Sequence, residues 1–289
     1  MRVAVTGYNG FTGRYLRAEL EGAGHEVIGI RTRLENTTAL ADEIREVRPD
    51  AMVHLAAVAF VAHSDAREVY EANLIGTMGL LDGLAALDRL PRRVILASSA
   101  NVYGPGAGEP LTEDASANPS NHYAVSKLAM ERMAALYRDS LPIVFTRPFN
   151  YTGPGQNPNF VVPKIAAAFR RGDRVIELGR TDVRRDFSDV RAIVAAYRGL
   201  LEAEALDHDV YNLCSGDARS IDELIDACAE AAGYRIEIER NPAFMRAGEI
   251  EVLVGDNARL RRALPDWRPI PIDRTLRDMV VGEAETRSA

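Results

Sequence analysis

Short apolar runs alternate with longer amphipathic segments from the first residues of the chain. Arg2 to Thr6 is followed by Thr12 to Ala23, Glu26 to Ile30 by Thr38 to Val47, and Ala51 to Leu55 by Ala66 to Leu87. The alternation continues through Arg93 to Ala97, Tyr123 to Tyr137 and Ile143 to Thr146. The short runs suit strands buried on both faces, and the longer segments suit helices with one apolar stripe. Strands and helices in this rhythm predict βαβ units, and so an α/β fold with a doubly wound parallel sheet covered by helices on both faces.

The rhythm changes after Arg147. Pro148, Gly153, Pro154, Gly155, Pro158 and Pro163 crowd a stretch that is expected to form neither a regular helix nor a central strand. A smaller, mixed α/β C-terminal lobe is predicted to begin there. A helix over Ile193 to Glu204 and a strand over Val210 to Leu213 are expected to return to the sheet, and Ile221 to Ala232 to resume the lobe. The division predicted is 1–148 with about 187–214 for the large domain, and 149–186 with 215–289 for the small one.

Composition narrows the function classes. The 289 residues can bury a sizeable core, and 47% apolar with 27% charged residues is ordinary for a folded protein. A formal charge of -7 supplies no basic footprint for nucleic acid or an anionic membrane, so any anion must be captured locally. Cys214 and Cys228 are too few for a disulfide framework, and no spacing suggests a metal site. Met1 and Arg2 lead straight into Val3-Ala4-Val5, leaving no room for a signal peptide, and the longest apolar run, Leu55 to Ala62, is too short for a bilayer. A cytoplasmic protein is expected.

Thr6-Gly7-Tyr8-Asn9-Gly10-Phe11-Thr12-Gly13 places a glycine-rich turn between the first predicted strand and helix. Glycine allows the tight turn and the close approach of backbone to a pyrophosphate, and the helix N-terminus then offers free amides to it. In sites of this type an acid at the end of the second strand often bonds the ribose 2′-hydroxyl. Here Arg31 stands in that region, with Arg33 close by. Guanidinium groups suit a 2′-phosphate, so NADP(H) is favoured, with NAD(H) the alternative.

Tyr123-Ala124-Val125-Ser126-Lys127 sets a phenol and an ammonium one helical turn apart. A nearby positive charge is expected to lower the phenol pKa toward a working acid or base. Ala97-Ser98-Ser99-Ala100-Asn101-Val102-Tyr103-Gly104 ends a predicted strand in hydroxyls at the carboxyl edge of the sheet, where open α/β folds bind ligands.

Almost end to end, the chain resembles the extended short-chain dehydrogenase family. The likeness is carried by the Gly7, Gly10, Gly13 loop, His54-Leu55-Ala56-Ala57, Asn73 with Gly76-Thr77, the Ser99 segment, and Tyr123 with Lys127. Arg147-Pro148-Phe149-Asn150, Arg185-Asp186-Phe187 and Arg246-Ala247-Gly248-Glu249 complete it. The resemblance implies a Rossmann-type sheet, with Ser99 bonding the reacting oxygen, Tyr123 exchanging the proton, and Lys127 holding the nicotinamide ribose while tuning Tyr123. It implies a cofactor site drawn from Gly7, Asn9, Gly10, Phe11, Thr12, Gly13, Arg31, Arg33, Leu55, Ala56, Ala57, Asn73 and Pro148, with Tyr123 and Lys127. It further implies that Asn150, Arg185, Arg246 and Glu249 hold a nucleotide-diphosphate sugar, with Phe160 and Val161 near the base and Ser99 and Asn101 near the sugar. His54 and His63 are read as structural.

Dehydratases of the family carry an acidic pair just after the catalytic hydroxyl, where this chain has Ala100 and Asn101. The stretches Arg147 to Gln156, Arg184 to Val190 and Tyr211 to Gly216 are most similar to GDP-4-keto-6-deoxymannose reductases. A reductase of a 4-keto-6-deoxyhexose is therefore expected, with a 4-epimerase holding tightly bound NAD as the competing enzyme and a non-catalytic dinucleotide sensor as the third reading. Two positions depart from the family: the acid after the second strand is missing, and His122 stands where many relatives have Pro. A homodimer through paired helices is expected from the wide apolar arc of Ala124, Leu128, Met130, Met133, Ala134 and Tyr137.

Overall fold

A computed structural model describes residues 1–58, 65–105, 110–244 and 251–282. Among them the chain runs β1 (Arg2–Thr6), α1 (Phe11–Gly22), β2 (Glu26–Gly29), α2 (Thr37–Val47) and β3 (Ala51–His54). There follow α3 (Ala66–Tyr70), a π-helical turn (Glu71–Gly76) and α4 (Thr77–Ala85), together one nearly continuous helical run. Then come β4 (Val94–Ala97), α5 (His122–Ala134), β5 (Ile143–Pro148), β6 (Asn150–Thr152), α6 (Val161–Arg171) and β7 (Val175–Leu178). The rest is β8 (Arg184–Asp189), α7 (Val190–Glu202), β9 (Val210–Leu213), β10 (Ala218–Ser220), α8 (Ile221–Ala232), β11 (Glu237–Arg240), β12 (Val252–Leu253), α9 (Ala258–Ala263) and α10 (Ile272–Val281).

Six parallel strands form the main sheet in the order β2-β1-β3-β4-β5-β9. Side chains alternate between two cores, as the two-residue period of a strand requires. Val3, Val5, Val53, Ile95 and Val144 face α1 and α7, meeting Leu16, Leu20, Ile193, Tyr197 and Leu200. Ala4, Met52, Val94, Leu96 and Phe145 face the other way, onto Leu40, Ile44, Leu80, Leu84 and Met130 of α2, α4 and α5. The sheet is thus a doubly wound Rossmann-type sheet. From β1 the chain steps outward to β2 and then crosses back to β3, so a crevice opens between the carboxyl ends of β1 and β3.

The small lobe has its own core, in which Val162, Ile165 and Phe169 of α6 meet Leu224 and Cys228 of α8 and Leu276 and Met279 of α10. The stretch expected to lack a regular helix in fact contains β6 and α6. Pro163 lies in the first turn of α6, where a backbone N–H has no partner within the helix, so the missing donor does no harm. Leu260 and Trp267, inside the stretch assigned to the small lobe, pack into the core of the main sheet, and Trp267 Nε1 donates to the Ala192 carbonyl at 2.8 Å. A polar tail with one Trp carries no period that would have revealed this.

Candidate active site

The glycine turn is closed by its own backbone. Gly7 adopts φ +68, and a Cβ there would stand 2.9 Å from the Ala56 amide nitrogen. At Gly13 a Cβ would come within 2.2 Å of the Gly7 carbonyl oxygen, so the first turn of α1 can pack on the loop only without a side chain. Gly10 caps α1, no side chain satisfies the first amides, and no acid occupies the first turn. That is a helix N-terminus left open for an anion, with Asn9, Phe11 and Thr12 around it.

The opposite wall is held by a directional hydrogen-bond chain. Thr77 Oγ1 donates to the Asn73 carbonyl at 2.8 Å, so it accepts from His54 Nε2 at 3.0 Å. His54 Nδ1 is then the acceptor for Thr6 Oγ1 at 2.7 Å, and Thr6 accepts the Ala56 amide at 3.1 Å. Burial pushes His54 down to about 3, aided by the charge of Lys127, so it stays neutral in this chain of bonds. Asn73, in the π-helical turn, fixes the strand-end loop Leu55, Ala56, Ala57 and Val58. Its Oδ1 accepts the Val58 amide at 2.9 Å, and its Nδ2 donates to the Val58 carbonyl and to Ser126 Oγ at 3.2 and 3.0 Å. Both ring nitrogens of His54 are taken up by these bonds, and what they order is a wall of the cavity beside the glycine turn. His63 lies outside the described residues.

Ser99 lies two residues beyond β4, and its hydroxyl accepts the Asn101 amide at 3.2 Å. Lys127 Nζ donates to the Ala97 carbonyl at 2.7 Å and lies 5.9 Å from the centre of the Tyr123 ring. The structure therefore brings Ser99, Tyr123 and Lys127 together at the carboxyl edge. It does not show Lys127 lowering the phenol pKa. Burial pushes Tyr123 up to about 12, the neighbouring Tyr151 adds to the rise, and a hydrogen bond with Ser99 opposes it. The ammonium is directed at a carbonyl rather than at the phenol oxygen, and burial lowers Lys127 itself to about 8 against the pull of Glu131.

Sequence reasoning gave no role to the group beneath these residues. Arg147, at the end of β5, makes two hydrogen bonds to the Glu131 carboxylate, at 2.7 and 3.0 Å. It also donates to Tyr103 Oη and the Glu113 carbonyl, both at 3.1 Å. Tyr103 in turn donates to Asn212 Oδ1 at 2.6 Å. One guanidinium so ties α5, the Ser99 segment and the chain before α5 to β5. Glu131 is one helical turn from Lys127, and that spacing was the only available signal. Tyr151 was missed as well: it bonds Thr12 Oγ1 at 2.8 Å and stacks on Phe11, joining β6 to the glycine turn. Pro148, the last residue of β5, is buried.

The residues assigned to substrate sit farther out. Asn101 and Asn150 are exposed, and Asn150 Nδ2 reaches the Asp186 carbonyl at 3.5 Å. Arg185 on β8 donates to the carbonyls of Arg184 and Glu251 at 2.8 and 3.3 Å. Phe160 and Val161, at the start of α6, are 54% and 38% exposed. Arg246 and Glu249 lie outside the described residues. On the cofactor side, Arg33 borders a cavity of about 220 Å³ with Gly7, Ala56 and Ala57. Arg31 is exposed and does not border it, its amide being bonded instead to Glu43.

The residues fit a dinucleotide: the α1 amides are uncapped, the cavity adjoins the glycine turn, and Ser98 Oγ at the end of β4 is buried with no hydrogen-bond partner. Among the described residues no cluster of His, Cys, Asp or Glu could hold a metal, and no helix is long and apolar enough to cross a membrane.

Comparison with known proteins agrees with this geometry. The chain is 37% identical to a GDP-6-deoxy-D-mannose reductase of Pseudomonas aeruginosa, covering 99% of this chain and 98% of the relative. It is 33% identical to a GDP-6-deoxy-D-talose 4-dehydrogenase of Aggregatibacter actinomycetemcomitans, covering 96% and 97%. Among solved structures, RMD from Pseudomonas aeruginosa complexed with NADPH superposes with a TM-score of 0.88 at 35% identity, over 99% of each chain. A Thermus thermophilus UDP-glucose 4-epimerase complexed with NAD gives 0.86 at 27%, over 98% of each. The profile of the NAD dependent epimerase/dehydratase family matches residues 3–214, and the chain belongs to that family.

Proposed function

We propose that this protein uses a nicotinamide dinucleotide, NADP(H) by preference, to reduce the C4 ketone of a nucleotide-linked 4-keto-6-deoxyhexose. One observation carries this reading: Tyr123 stands hydrogen-bonded to Ser99 and beside Lys127 at the carboxyl edge, next to the cavity of the glycine turn, with its phenol pushed up by burial. A reductase needs that group as an acid, since a ketone that gains hydride becomes an alkoxide and must take a proton. The reduced nicotinamide supplies the hydride. Ser99 bonds the reacting oxygen, Tyr123 Oη gives the proton, and Lys127 anchors the nicotinamide ribose and restores charge near the phenol. Gly7, Gly10 and Gly13 admit the pyrophosphate, and Asn73 holds Leu55 to Val58 against the adenosine half.

The names of the two relatives, a GDP-sugar reductase and a GDP-sugar 4-dehydrogenase, support a GDP-linked deoxysugar. Asn150, Arg185, Arg246 and Glu249 are assigned to its diphosphate and ribose, Phe160 and Val161 to its base, and Asn101 to its sugar. Exposure of two apolar residues at the start of α6 supports a platform that awaits a flat ligand. The second reading, a 4-epimerase with retained NAD, is favoured by the superposition on the NAD complex.

A homodimer is proposed on different residues from those the helical arc suggested. Ala124, Met130 and Ala134 are buried, and Leu128, Met133 and Tyr137 pack on the chain's own cores. Ile75, Met78 and Val125 stay exposed across the helical run and α5, as does Leu136 just beyond α5, and Ile75, Met78 and Val125 are the residues proposed to meet a partner copy. A cytoplasmic setting is supported by Cys214 and Cys228, both buried free thiols.

The test is anaerobic mixing of the purified protein with NADPH and GDP-, dTDP-, UDP- or CDP-linked 4-keto-6-deoxyhexoses, following nicotinamide absorbance. Stoichiometric oxidation with one of them is expected; no oxidation, together with NAD bound to the purified protein, would replace the reductase by the epimerase.

A further inference from the structure

The loop after β2 presents two opposite charges at the rim of the cavity beside the glycine turn. Thr6, Gly7, Thr32, Arg33, Glu35 and Ala57 all border that cavity. The loop backbone is fixed at both ends. The Glu43 carboxylate of α2 accepts the amides of Arg31 and Thr32, each at 2.9 Å. Leu34 is buried against Gly76, so close that a Cβ on the glycine would lie 2.5 Å from the Leu34 Cβ. With Leu34 pointing inward, Arg33 and Glu35 on either side of it are exposed at the rim, and they pair with each other at 3.3 and 3.4 Å.

An acid does therefore reach this site, two residues beyond the arginine, although none follows β2 directly. The pair is wet, Arg33 being 86% exposed, and Glu68 of α3 adds further negative field at the guanidinium. Such a pair is easily opened, because an exposed ion pair gains little net free energy over two hydrated ions. A phosphate arriving at Arg33 must displace the carboxylate and then stay near it, whereas a ribose hydroxyl can donate to that same carboxylate.

We propose that Glu35 is a specificity-determining residue of the dinucleotide site: it holds Arg33 in the place a 2′-phosphate would take, and so lets the site accept both phosphorylated and unphosphorylated adenosine riboses. This inference rests on the dinucleotide reading of the cavity, and its test keeps the two apart. Adenosine 2′,5′-bisphosphate and adenosine 5′-monophosphate differ only in the group under discussion, and calorimetry of the full chain measures each without any turnover.

Wild type is expected to bind the two within about tenfold of each other at moderate salt. Glu35→Gln should tighten the bisphosphate by roughly tenfold and weaken the monophosphate several-fold, since one repulsion and one acceptor are lost together. Arg33→Gln should weaken the bisphosphate by roughly tenfold and leave the monophosphate unchanged. Both side chains are exposed, so unchanged thermal melting serves as the folding control. If both nucleotides bind and Glu35→Gln leaves their ratio as in wild type, the role of Glu35 is overturned while the dinucleotide site stands. If neither nucleotide binds to any variant, the dinucleotide reading falls and this inference with it.

Discussion

The carboxyl edge of the main sheet and the rim of the small lobe are built on opposite terms. At the edge, Ser99, Lys127, Glu131 and Arg147 are all buried, and each is hydrogen-bonded to a distant part of the chain. At the rim, Phe160 and Val161 at the start of α6 and Phe244 are exposed, with Lys164 Nζ 4.2 Å from the centre of the Phe244 ring. A proton donor and its partners must keep fixed distances, which a dry, over-determined network provides. The rim proposed for substrate is exposed instead, and side chains there can shift to suit a ligand.

The largest expected effect breaks the edge at the residue proposed as its proton donor. Tyr123→Phe should lower turnover by about 10²–10⁴-fold. Dinucleotide affinity should stay as in wild type, measured by fluorescence titration, because only one hydroxyl is removed. Full turnover in that variant would remove Tyr123 from the chemistry.

Next comes the buried pair below it. Arg147→Met leaves the Glu131 carboxylate buried without its partner and should cost about 3–5 kcal/mol in urea unfolding. Replacing both, Arg147→Met with Glu131→Leu, should recover most of that loss while activity stays low, since the tie between α5 and the Ser99 segment is gone. Recovered activity in the double variant would mean that the pair only stabilises.

A loss of similar size, spread over several pH units, comes from acid. His54 is held down to about 3 in the folded chain, so between about pH 6.5 and 3 the unfolded chain binds a proton that the folded one refuses. Its contribution to stability is complete above that window and is lost as pH falls through it, at about 1.4 kcal/mol per pH unit. Urea unfolding at several pH values should show a flatter acid limb in His54→Asn than in wild type; equal limbs would mean the histidine is protonated in the fold.

The smallest effect belongs to the rim. Phe160→Ala should raise KM for the sugar nucleotide on the order of tenfold with kcat nearly unchanged, the size of one lost base contact. Its melting temperature should not move, because the side chain lies in solvent. A loss in kcat equal to that from Tyr123→Phe would erase the distinction between edge and rim.

What the sequence by itself determined was local. The strand–helix rhythm, the glycine turn and the Tyr123–Lys127 spacing involve neighbours within a turn or two, so pattern and backbone sterics suffice to place them. The small lobe was legible as a second body, but α6 was not, because proline was weighed by its presence rather than by its position in the first turn.

Only tertiary structure decided which charges meet and which apolar side chains remain outside. Arg147 bonds Glu131, Tyr103 and Glu113 across separations of 16, 44 and 34 residues, and Tyr103 bonds Asn212 across 109. The apolar arc of α5 turned out to be occupied by the chain's own cores, with Val125 left out on the other side. The carboxylate of Glu35 is set at the cavity rim by the burial of Leu34 on Gly76, a contact between residues 42 positions apart. Periodicity specifies the direction of a side chain from its own helix or strand, whereas the identity of what it faces depends on how elements distant in sequence pack, and that is settled by the whole core at once.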